Sequence, residues 1–367
     1  MKKIALISGD SSLSGAPTHV LQLARGLKKA GFDPLIICPP GPLCKKAETE
    51  KIPYEAIPMG GPFDRRALGL IDKTIRKFNP DIAHFHGIRS GWLGLIATRR
   101  NKKFKKIYTE HLWTKNYHLG NPAYEQFQLR GLQFMERYTD WNIAVSEAVK
   151  NFLISRGFRK EKLSVIPNGI NPEFLRLKVI KKPKGLPLIL GSVGSLNRVK
   201  NYTGILKALA QVKEKEPNLD FHYQIIGDGP LRKNLEKLAR QLKINHIVHF
   251  QGRVESVSER LRHINIFINA SFSESFGLAV GEAMAAGIPV IVSKIDSLKT
   301  LVGKKAGIFV NPKKPEEIAE AVIKLLKDKK LREQLGSAGR KRIEKEFSEE
   351  KMIKKTIALY QKVLKAK

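Results

Sequence analysis

The sequence predicts an α/β chain built from two doubly wound parallel sheets. Three observations carry this expectation. Short apolar runs alternate with longer stretches of 3.6-residue periodicity along most of the 367 residues. The alternation pauses over 176–187, a basic stretch broken by Pro183, Gly185 and Pro187, and then restarts. Apolar residues make up 42% of the chain and aromatics 8%, enough to fill two cores and to exclude wholesale disorder. The expected organisation is a first domain over 1–175, a linker over 176–187, a second domain over 188–345 and a terminal helix over 346–367.

The elements follow in order. Ile4–Ser8 reads as a buried first strand ending in a loop. Val20, Leu23, Ala24 and Leu27 then stand at i, i+3, i+4 and i+7 of a helix, with Gly31 as its stop. Leu35–Cys38 is the next strand, closed by a Pro-Pro-Gly-Pro turn. Asp81–His86, Lys106–His111, Trp141–Ser146 and Leu163–Pro167 complete the first sheet. After the pause come Leu188–Val193, a helix over Tyr202–Glu214, and strands at Phe221–Ile226, Ile247–Phe250, Ile266–Asn269, Val290–Ser293 and Gly307–Val310. A helix over Glu316–Asp328 carries Ile318, Val322 and Leu325 on one stripe. Right-handed crossovers between such strands make both sheets parallel. Ligands of parallel sheets sit beyond the carboxyl ends of the strands, so chemistry is sought in the loops that follow them.

Charge narrows the partners. Lys plus Arg number 67 against 34 Asp plus Glu, a formal net charge of +33. Such a surface favours phosphates, nucleic acid or acidic lipid headgroups. Six cations fall within the eight residues 99–106. With Trp92, Leu93 and Phe104 nearby, they suggest reversible attachment to an acidic membrane, the plainer alternative being a solvated face. Nucleic acid is not expected, because no aromatics interleave the basic runs and no reader module is visible. Cys38 and Cys44 are the two cysteines. That number excludes a disulfide framework and points to a reducing cytosol. No apolar run approaches the length of a membrane span.

The segment from Asn269 to Met284 is the most informative. It leaves a strand, carries Glu274 in a loop, and opens a small-residue helix at Gly277 and Leu278. Amide groups at a helix start suit a diphosphate, and Gly277 lets the backbone approach it. A carboxylate there would be repelled by the diphosphate, so Glu282 is expected to grip a neutral diol such as a ribose, and Glu274 another polyol. The plain alternative is a capping acid and a solvated helix glutamate.

Glu274 and Glu282, with seven residues between them, match the E-x7-E signature of retaining GT-B glycosyltransferases. The flanking Ser273 to Leu278 and Gly287-Ile288-Pro289-Val290 resemble family 4 of those enzymes. So do Ser14-Gly15-Ala16, Asp81 to His86, Val145-Ser146-Glu147, Val165 to Ile170, and Gly227-Asp228-Gly229-Pro230. The resemblance implies two Rossmann-like domains facing a central cleft, the acceptor on the first and the donor on the second. It implies a terminal helix that crosses back to the first domain. The stripe Ile353, Ile357, Tyr360 and Leu364 on that helix otherwise suits an amphipathic membrane helix.

By the same resemblance Glu282 holds the donor ribose, and Glu274 holds the transferred sugar. Phe276, Gly277 and Leu278 border the diphosphate. Gly15 gives the first loop room near the phosphates, and Gly227, Arg253 and Val254 complete the donor site. His111 orients the sugar. The family places Arg directly after the Gly of the first loop of the second domain, and Lys six residues after it. Lys200 matches, Ser195 departs, and Arg198 stands in for the missing arginine. Two cations there would stabilise the departing diphosphate, the plain alternative being ordinary surface charge. Residues 293–300 depart from the family pattern as well.

The expected partners are a UDP- or GDP-sugar donor and a lipid-linked or saccharide acceptor. No cofactor is expected. A divalent metal is not expected either: no Asp-x-Asp occurs, and His84 and His86, which share a strand face, show no third ligand in the sequence. His19 is expected to pack its helix. The expected activity is retaining hexosyl transfer in glycolipid, lipopolysaccharide or polysaccharide synthesis. A same-fold sugar-nucleotide epimerase or a glycogen-type synthase is the near alternative, and a basic nucleic-acid-binding protein the remote one.

Overall fold

Near-continuous β-branched and leucine runs can be buried on both faces only inside a parallel sheet covered by helices. The computed structural model, which describes residues 1–12, 14–61, 64–114, 122–180 and 185–366, shows this twice. Residues 181–184 of the expected linker lie outside the described residues.

The first sheet holds β1 (Lys3–Ser8), β2 (Asp33–Cys38), β3 (Tyr54–Ala56), β4 (Ile82–His86), β5 (Lys105–Glu110), β6 (Trp141–Ala144) and β7 (Leu163–Val165). Their order is β3-β2-β1-β4-β5-β6-β7, all parallel. Helices α1 (Gly15–Lys29), α2 (Pro42–Thr49), α3 (Arg65–Phe78), α4 (Ile88–Thr98), α5 (Pro122–Tyr138) and α6 (Glu147–Ser155) return the chain between strands. The short edge strand β3 escapes the sequence reading, because Tyr54-Glu55-Ala56 carries no apolar run and is largely exposed.

The second sheet is preceded by α7 (Pro172–Arg176). It holds β8 (Leu188–Val193), β9 (Phe221–Ile226), β10 (Val248–Gly252), β11 (Ile266–Asn269), β12 (Val290–Ser293) and β13 (Gly307–Val310), in the order β10-β9-β8-β11-β12-β13. Its helices are α8 (Tyr202–Lys215), α9 (Arg232–Gln241), α10 (Val257–Leu261), α11 (Leu278–Ala285), α12 (Asp296–Val302), α13 (Pro315–Lys327) and α14 (Lys329–Glu346). A last helix, α15 (Glu349–Lys365), follows.

The chain divides into two compact units, Met1–Gly169 with Glu349–Lys367, and Ile170–Ser348. The division falls ahead of residue 175, because α7 packs with the second unit: Ile170 accepts no role in the first sheet but donates its N–H to the Phe347 carbonyl at 2.9 Å. Helix α15 belongs to the first unit. Its buried line is Met352, Thr356, Leu359, Tyr360 and Val363, with Ile353, Ile357 and Leu364 as partly buried flanks. Arg25 of α1 holds Glu349 at the start of α15 with a 2.8 Å ion pair.

In each sheet the strand order reverses once, between β1 and β4 and between β8 and β11. Loops leaving such neighbouring strands diverge to opposite faces and open a crevice at the carboxyl edge. These two switch points are where parallel sheets of this kind offer a binding site.

Candidate active site

In the second unit the carboxyl-edge loops are fastened to one another through their backbones. Gly194 N–H donates to Ile226 O at 3.0 Å, Leu196 N–H to Asp228 O at 3.1 Å, and Gly227 N–H to Gly252 O at 2.8 Å. Gly227 has φ 137°, and a Cβ there would stand 2.1 Å from the Gly194 carbonyl oxygen. Only glycine fits so close a crossing of two loops.

A short 3-10 turn, Arg198–Lys200, follows β8. Asn197 caps it by accepting the Lys200 N–H at 3.2 Å. Asn201, in the left-handed region at φ 53°, then starts α8. Its side-chain amide donates to Ala270 O at 3.1 Å and to Pro312 O at 2.7 Å, tying this turn to the loop after β11. The turn thereby delivers Lys200 to Glu274, with Nζ 2.7 Å from Oε1. Asn269 Nδ2 at 3.0 Å and Ser271 Oγ at 2.9 Å donate to the same oxygen. Among the described residues Oε2 has no hydrogen-bond partner. Burial pushes the Glu274 carboxyl up, but the Lys200 ammonium with the Asn269 and Ser271 donors outweighs it and holds it below the usual range. Glu274 is therefore an ionised acceptor with one oxygen anchored and one open.

Glu282, on α11, is the opposite case. Its carboxyl is partly buried and has no hydrogen-bond partner among the described residues. Burial first, and the nearby Glu173 carboxylate second, push it up to about 8. Glu173 is fixed on α7 by the Ser258 hydroxyl. Such an acid is poised to take hydroxyl donors, which would repay its desolvation. Helix α11 opens at Gly277, φ 93°, with no side-chain cap. A Cβ at Gly277 would lie 2.6 Å from Leu298 Cδ2.

The other expected donor residues fall as follows. Arg198 is exposed, with no ion-pair partner among the described residues, so its guanidinium is free for phosphate. Arg253 is exposed and Val254 partly buried, in the loop after β10. Leu278 is partly buried at the helix start. Phe276 is buried, its ring edge-on to Phe347 at 5.8 Å, so it offers a ligand its backbone and not its ring. Asn269, Ser271 and Glu173 escaped the sequence reading. The first two were legible as polar residues closing an apolar strand, whereas Glu173 is brought beside Glu282 by tertiary packing alone.

In the first unit Gly15 opens α1, with Ser14 as an N-cap whose side chain makes no cap bond. Ser12 and Ser14 instead donate to Asp10 at 2.6 Å and 3.1 Å, ordering the loop after β1. His111 follows β5 and is buried. Glu110 organises its loop, accepting the Leu112 N–H at 2.7 Å and the Trp113 N–H at 3.2 Å.

Two expectations need correction. His84 and His86 do have histidine neighbours: His19 of α1 and His111 pack against His86, all three buried. They come from distant parts of the chain, so no spacing rule reveals them. The apolar insertion beside the basic run does not hold for Leu93 and Phe104, which are core residues, whereas Trp92 is partly buried against Phe127 and Phe134; Lys106 is buried with its ammonium on Asn101 O. Arg99, Arg100, Lys102 and Lys103 are exposed and line an open groove of about 650 Å³ with Arg76 and Asp72. Among the described residues no helix is long and apolar enough to cross a membrane.

Residues 13–174 match the family profile described as Glycosyltransferase Family 4, and residues 176–342 that described as Glycosyl transferases group 1. An uncharacterized glycosyltransferase of Methanocaldococcus jannaschii is 28% identical over 250 residues, 63% of this chain and 63% of the relative. Sulfoquinovosyl transferase of Arabidopsis thaliana is 26% identical over 311 residues, 80% of this chain. The match spans 58% of that relative, so the chain covers about three fifths of the length of either protein. Among solved structures, Anabaena HepE in complex with UDP-glucose superposes with a TM-score of 0.85 at 19% identity, over 99% of this chain and 100% of that one.

Proposed function

Because the chain belongs to the family 4 glycosyltransferases of the GT-B fold, we propose that it moves a hexosyl unit from a nucleotide-diphospho-sugar to an acceptor hydroxyl with retention of anomeric configuration. The observation that carries this reading is the contrast between the two acids of the second unit. Glu274 is ionised, anchored through one oxygen and open at the other. Glu282 is desolvated, unpartnered and pushed up to about 8. The first suits hydroxyls of the transferred sugar and the second a ribose diol.

In this reading Lys200, the free Arg198 and the uncapped start of α11 receive the diphosphate. Negative charge grows on it as the anomeric C–O bond breaks, and fixed cations with helix amides stabilise that charge. The acceptor oxygen bonds to the anomeric carbon on the face the diphosphate leaves, and its proton passes to the departing phosphate oxygen. The two cations do the work that a divalent metal does at other sugar-nucleotide sites, so transfer is expected to be metal-independent. Gly227, Arg253 and Val254 border the nucleotide. His111 is assigned to orienting the sugar, Gly15 to the first loop near the phosphates, and the first unit to the acceptor.

The HepE structure with UDP-glucose supports a nucleotide-diphospho-sugar as donor, and a UDP- or GDP-sugar is proposed. The exposed cations Arg99, Arg100, Lys102 and Lys103 support an acceptor presented at an acidic membrane or carried on a lipid, in glycolipid or polysaccharide synthesis on the cytoplasmic side. The test is incubation with UDP- and GDP-sugars, with and without saccharide and lipid-linked acceptors. Acceptor-dependent release of nucleoside diphosphate, with an α-linked product from an α-linked donor, is expected. Epimerised donor without release, or a product of inverted configuration, would overturn the reading.

A further inference from the structure

The first unit carries a histidine cluster of which the transferase reading uses His111 alone, for orienting the sugar, and leaves His19 and His86 without a role. At its switch point β4 ends on His86, β5 leads into His111, and α1 presents His19. All three imidazoles are buried, and each offers a ring nitrogen such that the three nitrogens lie within 4.8 Å of one another. His86 Nδ1 and His111 Nε2 are 3.2 Å apart. Two nitrogens bound to one tetrahedral zinc ion at about 2.0–2.1 Å stand about 3.4 Å apart, so this separation is nearly that of a coordination edge.

We propose that His19, His86 and His111 form a three-imidazole site for a transition-metal dication, zinc first, with its fourth position open.

Three features support the assignment. His86 Nε2, His111 Nδ1 and His19 Nδ1 are buried without hydrogen-bond partners. No protein acceptor thus fixes the tautomer at the outer nitrogens of His86 and His111, and Asn168 is the side chain that faces the His19 imidazole. His86 and His111 can each carry the proton on the outer nitrogen and turn the inner lone pairs toward an ion. The fourth histidine behaves differently. Both nitrogens of His84 are engaged, by Tyr360 Oη at 2.7 Å and Thr109 Oγ1 at 2.6 Å, and it packs behind His86 with ring centroids 4.0 Å apart. Nitrogen ligands with an open position suit zinc, copper, nickel or cobalt and exclude magnesium and calcium, which take oxygen.

The site joins three elements far apart in sequence, so an ion there would staple α1, β4 and β5. It rests on the first unit alone and is independent of the diphosphate chemistry assigned to the second.

Chelator-treated full-length protein is titrated with cobalt(II) in visible light, and the loaded form with zinc. The expected result is saturable binding of one ion with ligand-field bands, displacement by one equivalent of zinc, and a zinc-dependent rise in the unfolding temperature. His86→Ala and His111→Ala should each weaken binding by more than about 10-fold. His249→Ala, which breaks the 3.1 Å His222–His249 contact of the second unit, should leave it unchanged. Pulsed EPR of the copper(II) form counts bound imidazoles in the unmutated protein, so the test does not depend on variants that fold. Three imidazoles support the site. Fewer than three, or no saturable cobalt binding, overturns it and leaves the His86–His111 contact a simple imidazole hydrogen bond.

Discussion

Lys200 Nζ sits 2.7 Å from Oε1 of Glu274, and both groups are more than three-quarters buried. The pair joins the loop after β8 to the loop after β11 across the switch point. It also sets a division of labour: the lysine that would meet a diphosphate is already held by the acid that would meet the sugar. Removing one partner leaves the other charged, desolvated and alone, which destabilises by about 3–5 kcal/mol when a pair is fully buried. Here solvent reaches both groups, so a smaller cost is expected.

Lys200→Met should therefore lower the unfolding temperature and cut kcat by about 10²- to 10³-fold, the loss typical of removing one electrostatic stabiliser. Adding Glu274→Gln should restore part of the stability, because it removes the orphaned charge, and none of the turnover. Thermal melts and nucleoside diphosphate release on the two single variants and the double variant form a cycle. Strictly additive stability losses would show that the pair is uncoupled.

Glu282 makes stability and donor affinity depend on pH in opposite senses. Its folded pKa, about 8, lies above the ordinary carboxyl value. The folded chain keeps a proton that the unfolded chain releases, so stability falls as pH rises from about 4.3 toward 8. Glu282→Gln mimics the protonated acid and removes that dependence. Its advantage in unfolding free energy over the parent should grow by about 1.4 kcal/mol per pH unit across this range. Hydroxyls of a bound diol favour the ionised carboxyl, so nucleotide binding expels the proton and tightens as pH rises toward 8. Calorimetric titration in buffers of different ionisation heat measures the released proton. Glu282→Ala should weaken donor binding by about 10- to 150-fold, the value of about 1.5–3 kcal/mol for hydrogen bonds to a charged group.

Much of this was legible in the sequence, and the physical reason is local. Runs such as Ile4–Ser8 and Val290–Ser293 declare buried parallel strands because every residue is apolar or small. Edge strand β3 lacks that signature, since it is three residues long and largely exposed. At the site, the spacing of Glu274 and Glu282 was visible, as was the cation at Lys200. Their opposite ionisation was not, because it depends on which donors the fold brings near: three to Glu274, none to Glu282, and Glu173 beside the latter. The histidine cluster was illegible for the same reason. His19, His86 and His111 meet only once α1, β4 and β5 are assembled.

Gly227 tests whether the fastened loops matter. A methyl group there meets the Gly194 carbonyl and must also adopt φ 137°. Gly227→Ala is expected to destabilise by about 1–3 kcal/mol from backbone strain, with the clash in addition. The loops after β8 and β9 must part, so nucleotide affinity should fall more than that of a variant equally destabilised in the α8–α13 core, such as Leu206→Ala. Differential scanning calorimetry with nucleotide titration compares the two. Equal affinity in both would show that the crossing serves stability alone.

The exposed cations of the first unit give the last expectation its magnitude. Each lysine or arginine near an acidic bilayer contributes about 1 kcal/mol. With Phe104 and Lys106 buried, the attraction is assigned to Arg99, Arg100, Lys102 and Lys103. Replacing all four by Gln should weaken binding to vesicles containing acidic lipid by up to about 10³-fold, since 1.4 kcal/mol is tenfold. Raising the salt to 0.5 M should weaken the parent as well, because exposed charges are screened within a few ångströms there. Transfer to a soluble acceptor should be unaffected, which separates membrane attachment from chemistry. Sedimentation with acidic and neutral vesicles reads the effect. Binding that is equal on neutral vesicles, or that survives both the substitutions and the salt, would mean that the basic groove is a solvated face with no role at the bilayer.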